Sequence, residues 1–186
     1  MISSMNGLMV PAPGRVYWLT GLSGAGKSTL ARRLVEWLRI QRRTALLLDG
    51  DELRTMLDAA ALHAADERKA FAFCYARLCR LLALQGVDIV IATISLYREV
   101  HAWNRRNLPG YVEILLDVPL AELLRRDPKG LYARARLGDA KNVAGLDLAV
   151  EIPAAPDVVI GFRPGQTAET AFAELLDKLR QIHAPA

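Results

Sequence analysis

Gly21-Leu22-Ser23-Gly24-Ala25-Gly26-Lys27-Ser28 fits the pattern G-x-x-x-x-G-K-S/T at every fixed position. Ahead of it, Arg15 to Thr20 is an apolar run suited to a buried strand. Behind it, Thr29 to Leu38 carries apolar residues at helical spacing. Glycines let the backbone wrap a phosphate, so that successive N–H groups point inward. The helix that follows aims its positive end at the same place. Lys27 can reach the β- and γ-phosphates and Ser28 can ligate Mg²⁺. A chance Gly/Ser turn with a lysine is the competing explanation, and the flanking strand and helix weigh against it. The chain is therefore expected to bind ATP or a similar triphosphate.

The rest of the chain keeps the same rhythm. Thr44 to Leu48 is a short apolar run ending at Asp49. Asp66 to Gln85 predicts a long helix stopped by Gly86. Val87–Thr93, Tyr111–Asp117 and Asp157–Ile160 predict three further strands. Pro119 suits the first turn of a helix to about Arg126, and Thr167–Ile182 predicts a closing amphipathic helix with Thr167 as its N-cap. Strands alternating with helices predict an α/β fold of the P-loop NTPase type: a parallel five-stranded sheet with helices on both faces. Between Asp127 and Glu151 the periodicity fails, and the segment is rich in Gly, Lys, Arg and Asp. A connection that long predicts a mobile lid. One kinase domain over 1–186 is expected, with 1–14 as an N-terminal extension.

Bulk properties narrow the partners. The 186 residues suffice for one domain with a real core. A net charge of +4, from 24 basic and 20 acidic side chains, suits small anions but is no nucleic-acid footprint. No apolar run reaches the length of a membrane span, and the start lacks the pattern of a signal peptide. Cys74 and Cys79, five apart, read as inert thiols in a reducing cytoplasm. His63, His101 and His183 show no metal-ligand spacing.

Asp49-Gly50-Asp51 ends the second strand, at the sheet edge that faces the ligand crevice. Two carboxylates beside a phosphate loop suggest Mg²⁺ ligation, a general base, or both. The competing explanation is a capping turn with Asp51 as helix N-cap. Arg54, one helical turn on, can hold an anionic acceptor. Ser95 and Arg98, after the third strand, can contact that acceptor, or Ser95 can simply cap a helix. No acidic residue ends the third strand, which puts the metal-binding weight on Ser28, Asp49 and Asp51. Arg126 and Lys129 open the expected lid, where positive charge would neutralise a transferring phosphoryl group.

Together these segments resemble adenylylsulfate kinases. The likeness rests on the P-loop, Leu48-Asp49-Gly50-Asp51-x-x-Arg54, Ile94-Ser95-x-Tyr97-Arg98 and Arg126-Asp127-Pro128-Lys129-Gly130-Leu131-Tyr132, and runs on through Gly138, Asn142, Gly145, Asp147, Glu151 and Pro153 to Asp157. The family moves the γ-phosphate of MgATP to the 3′-hydroxyl of adenylylsulfate, in sulfate activation. The resemblance implies Asp51, Lys27 and Lys129 as catalytic residues. It implies ATP contacts from Gly21, Ser23, Gly24, Ala25, Gly26, Lys27, Ser28, Thr29 and Arg126. Acceptor contacts would come from Arg54, Arg68, Ile94, Ser95, Arg98 and Lys129. It also implies a cytoplasmic homodimer.

The acceptor half departs from the family pattern. Where members carry Gly-Phe before the long helix, this chain has Leu62-His63. Where they carry Arg-x-x-Asn-Ile-Arg on that helix, it has Arg68-Lys69-Ala70-Phe71-Ala72-Phe73. Asn-Phe-Thr-Gly in the lid becomes Asn142-Val143-Ala144-Gly145. Two of the missing phenylalanines would sandwich the acceptor's adenine, and base stacking on an aromatic is worth about 1–3 kcal/mol. Thr93 to Glu99, with Trp103-Asn104-Arg105, also resembles a branch that includes cytidine diphosphoramidate kinases of surface-polysaccharide modification. Two other classes are weaker. A hydrolytic P-loop switch for GTP would carry Asn-Lys-x-Asp, which is absent, and an inactive binding module would not be expected to keep Lys27, Ser28, Asp49, Asp51 and Lys129.

Overall fold

The computed structural model describes residues 11–57 and 65–183. Its strands are β1 (Val16–Thr20), β2 (Ala45–Asp49), β3 (Asp88–Ala92), β4 (Val112–Asp117) and β5 (Val158–Gly161). They form one five-stranded sheet in the order β2-β3-β1-β4-β5. Every pairing is parallel, with Val16 beside Ile89 and Tyr17 beside Val112. The expected α/β fold is present, and the strands fall within one residue of their predicted ends. Both faces of the central strands are covered, so near-continuous apolar runs identified them.

The helices are α1 (Lys27–Ile40), α2 (Gly50–Met56), α3 (Ala65–Ala83), α4 (Arg98–Asn107), α5 (Leu120–Arg126), α6 (Leu131–Arg136) and α7 (Ala168–His183). Alternation along β1 splits the core in two. Tyr17 and Leu19 pack with Leu30, Leu34 and Leu38 of α1 and Leu175 and Leu179 of α7. Val16 and Trp18 pack on the other face, with Ala72, Tyr75 and Cys79 of α3 and Val100 of α4. Gly86 takes a positive φ of 85° just beyond α3, and its N–H returns to Ala83 O, as a helix stop requires. Thr167 caps α7 as expected: its hydroxyl accepts from Thr170 N–H at 3.2 Å.

Helix α6 was not anticipated, and α2 and α4 entered only as helices that Asp51 or Ser95 could cap. In α4 the buried positions are Val100, His101 and Asn104, so two of its three inward residues are polar and the apolar stripe disappears. α2 and α6 span 7 and 6 residues, too short to show a period. The segment 127–151, read as aperiodic, contains α6 and an isolated bridge between Ala144 and Leu148. Among the described residues no helix is long and apolar enough to cross a membrane.

Because β1 lies between β3 and β4, the chain leaves the sheet in opposite directions on its two sides. That reversal opens a crevice beyond the carboxyl ends of the strands. The loops that follow β1, β2 and β3 all end there.

Candidate active site

The glycine-rich turn between β1 and α1 is built from conformations that only glycine adopts freely. Gly21, Gly24 and Gly26 have φ of 144°, 78° and 98°. A Cβ at Gly21 would lie 2.6 Å from Leu116 O, so the loop passes directly over the end of β4. Lys27 and Ser28 start α1. Lys27 Nζ donates to Leu22 O at 2.8 Å. Burial, with the Lys129 ammonium nearby, lowers Lys27 to about 8.

The carboxylates come from the end of β2. Asp49 is buried, and its Oδ2 accepts from Ser28 Oγ at 2.5 Å. Its Oδ1 accepts from Asp51 N–H at 2.9 Å, so Asp49, not Asp51, is the N-cap of α2. Asp51 is thereby left exposed, where it pairs with Lys129 of the segment 127–151. Burial opposes ionisation of Asp51, yet the Lys129 ammonium, with Arg54 and Lys27 behind it, holds its carboxyl below the ordinary value.

These groups open into one cavity of about 490 Å³. Its lining takes Ser23, Gly24, Gly26, Lys27, Ser28 and Thr29 from the loop and the start of α1, and Asp49 and Asp51 from the end of β2. Lys129, Arg54, Arg68, Ile94 and Ser95 complete the set of expected site residues on it. Six lysine and arginine side chains line it (Lys27, Arg54, Arg68, Lys129, Arg134 and Lys141) against the carboxylates of Asp49 and Asp51, a balance suited to polyanions. Burial and the neighbouring Arg54 lower Arg68, a like-charge opposition that a bound anion would relieve.

Ser95 does not cap a helix: its hydroxyl bonds Thr93 Oγ1 at 2.8 Å, and Tyr97 takes the N-cap position of α4. Arg98 is exposed on the first turn of α4, outside both this cavity and the second one below, and its N–H is held by Glu151 Oε2 at 2.7 Å. His63 lies outside the described residues. Val143, the other replaced clamp position, is buried and lines the cavity.

A second, smaller cavity of about 130 Å³ lies beside the loop. Ala25, Thr29 and Arg126 line it, together with Phe162 and Gln166 beyond β5. The Arg126 guanidinium stands 5.1 Å from the Phe162 ring centroid, in cation–π contact. Arg126 therefore serves a different compartment from Lys129, three residues on.

Segment 127–151 lies against the site. Tyr132 is buried and its hydroxyl donates to Ser23 O of the loop at 3.0 Å. Arg68 reaches over from α3 to Asn142 O at 2.7 Å. Asp147 accepts from the N–H groups of Asn142 and Val143 and holds that turn in shape. Phe71, Tyr75, Tyr97, Arg134 and Lys141 also line the cavity and were not anticipated as site residues. A signal existed for two of them: Arg68, Phe71 and Tyr75 are spaced i, i+3, i+7 on one helix face.

The family model for adenylylsulphate kinase matches residues 13–161. The adenylyl-sulfate kinase of Pseudomonas aeruginosa is 40% identical over 147 residues, covering 78% of this chain and 75% of that protein. A cytidine diphosphoramidate kinase of Campylobacter jejuni is 38% identical over 148 residues, covering 78% of this chain and 84% of that protein. The APS kinase CysC of Mycobacterium tuberculosis, solved with AMPPNP and APS, superposes with a TM-score of 0.83 at 32% identity, covering 91% of this chain and 99% of that one.

Proposed function

The chain belongs to the adenylylsulphate kinase family of phosphotransferases, and from that membership we propose that it transfers the γ-phosphate of ATP to the 3′-hydroxyl of adenylylsulfate or a closely related nucleotide. One observation carries the reading. The glycine loop, the Asp49–Asp51 pair, Lys129, Arg54 and Arg68 all line one cavity.

The roles follow from position. Loop N–H groups and Lys27 hold the triphosphate. The second cavity, with Thr29 and the Arg126–Phe162 stack, suits the purine of ATP. Ser28 and Asp49, two hard oxygen donors 2.5 Å apart, suit a Mg²⁺ ion that keeps waters and phosphate oxygens as its other ligands. Bound there, Mg²⁺ would neutralise charge on the phosphate oxygens. Arg54 and Arg68 hold the acceptor's anionic tail beside Ile94 and Ser95. Asp51 orients the acceptor hydroxyl and takes its proton. Its pair with Lys129 is exposed on both sides, so it costs little to exchange Lys129 onto a phosphate oxygen. Segment 127–151 serves as the lid over this reaction, on one kinase domain. The family likeness also supports a cytoplasmic homodimer, which sedimentation would test.

A second reading has its own support. Val143 stands in the cavity where family members carry a phenylalanine, which favours an acceptor other than adenine, such as cytidine diphosphoramidate. The deciding experiment offers both acceptors at matched concentration with MgATP. Preference for adenylylsulfate assigns the protein to sulfate activation. Preference for the cytidine compound assigns it to polysaccharide modification. Transfer to neither, with ATP bound, overturns the kinase reading in favour of an inactive module.

A further inference from the structure

The family's asparagine and second arginine on the long helix are phenylalanines here, and the structure gives the two replacements different jobs. Phe73 packs against Trp103 of α4, edge to face with ring centroids 6.4 Å apart, so it belongs to the helix–helix contact. Phe71 faces the large cavity and is half-buried. Its ring leans on Tyr75, one turn on, at a centroid distance of 6.1 Å and an interplanar angle of 53°. Tyr75 is itself buried to 3% exposure, so Phe71 has a fixed backing.

The hydrogen bond from Arg68 to Asn142 O sets what lies around it. Phe71 follows Arg68 by one helical turn, and Val143 follows Asn142 directly. The bond therefore draws the Phe71 face of α3 and the Val143 turn to the same end of the cavity, with Leu148 in the same lining. That end has one aromatic wall, one aliphatic wall and two guanidiniums. A flat π-system carrying an anionic tail is the chemistry that satisfies all of these at once. Val143 offers no π-face, and on the α3 side of the cavity Phe71 supplies one.

We propose that Phe71 is the platform on which the acceptor's base stacks, replacing the aromatic pair that family members carry at the positions of His63 and Val143. The proposal rests on the nucleotide-kinase reading above and adds to it a residue that determines acceptor specificity. Asparagine at this position could read a base edge by hydrogen bonds, whereas phenylalanine recognises only a face. Selectivity between bases therefore shifts away from position 71 towards size.

The test compares Phe71→Ala, Phe71→Leu and Phe71→Tyr with the unaltered protein. Acceptor KM is measured for adenylylsulfate and for the cytidine compound, and acceptor binding is measured by calorimetry with a non-hydrolysable ATP analogue present. Alanine and leucine should raise the KM and Kd of the preferred acceptor by about 5- to 150-fold, the range expected for one lost stacking contact. Tyrosine should keep both, and the KM for ATP should stay within about twofold in all three. Leucine preserves apolar volume, so a melting temperature near that of the unaltered protein separates stacking from folding. If the unaltered protein transfers phosphate and all three variants keep its acceptor KM, the platform is wrong and the kinase reading survives. If it binds an acceptor but transfers nothing, the kinase reading fails and the Kd values decide the platform. Binding of neither nucleotide overturns both.

Discussion

Lys27 shows how much a single residue depends on its surroundings. Its ammonium sits in a loop built for phosphates, where burial and Lys129 lower it to about 8. A bound triphosphate favours the charged form, so the pKa rises on binding. The sign follows. The ammonium form is dominant at pH 7 and scarce at pH 9, so ATP affinity should fall by about tenfold between them, with a proton taken up on binding in the upper range. Calorimetry in two buffers of different ionisation enthalpy measures both. A flat affinity from pH 7 to 9 with no proton uptake would show that Lys27 stays charged throughout. The residues of the loop were legible in the sequence because their requirements are local: three positive φ angles, one lysine and one hydroxyl at fixed spacing. Arg98 lies outside the cavity lining for the complementary reason. Its spacing fits an acceptor ligand, but its place depends on where α4 packs.

At the scale of elements, polar groups hold β4 to its neighbours. Glu113 on β4 is buried to 4% exposure. His101 Nδ1 of α4 lies 2.6 Å from its Oε1, Tyr111 OH donates to the same oxygen at 2.9 Å, and Arg105 of α4 lies 3.4 Å from Oε2. Arg105 continues to Asp157, whose Oδ2 accepts from Glu113 N–H at 2.7 Å. The network joins α4, β4 and the approach to β5. Glu113→Ala should cost about 1–3 kcal/mol, because the buried Tyr111 hydroxyl is left without its acceptor. Urea unfolding measures it, and an unchanged midpoint with an unchanged slope would show that the network contributes nothing. The same polar composition hid α4 from the sequence, since helical periodicity registers only apolar residues. Strands β1, β3 and β4 were legible because both their faces are buried.

For the whole molecule the question is how segment 127–151 is coupled to the phosphate loop. Tyr132 ties the two together through Ser23 O, and its ring is part of the core on the α1 face of the sheet. Tyr132→Phe keeps that packing and removes the hydrogen bond, at a cost of about 1 kcal/mol. Amide exchange in 127–151 should accelerate while β1 and β4 keep their protection, and an ATP analogue should restore part of the loss. Uniform acceleration along the chain would mean that Tyr132 serves global stability and not the lid.

The sequence by itself determined the phosphate loop, the alternation of strands and helices, and the carboxylates at the end of β2. Each is set by neighbours within a few residues: a backbone conformation, an apolar run, a spacing. Tertiary structure alone decided the strand order that opens the crevice, the separation of Arg126 and Phe162 from the acceptor cavity, and the assignment of Phe71 to a ligand wall and Phe73 to a helix contact. Those depend on which surfaces meet across the fold. Contacts between residues far apart in the chain leave no period for a sequence reading to find.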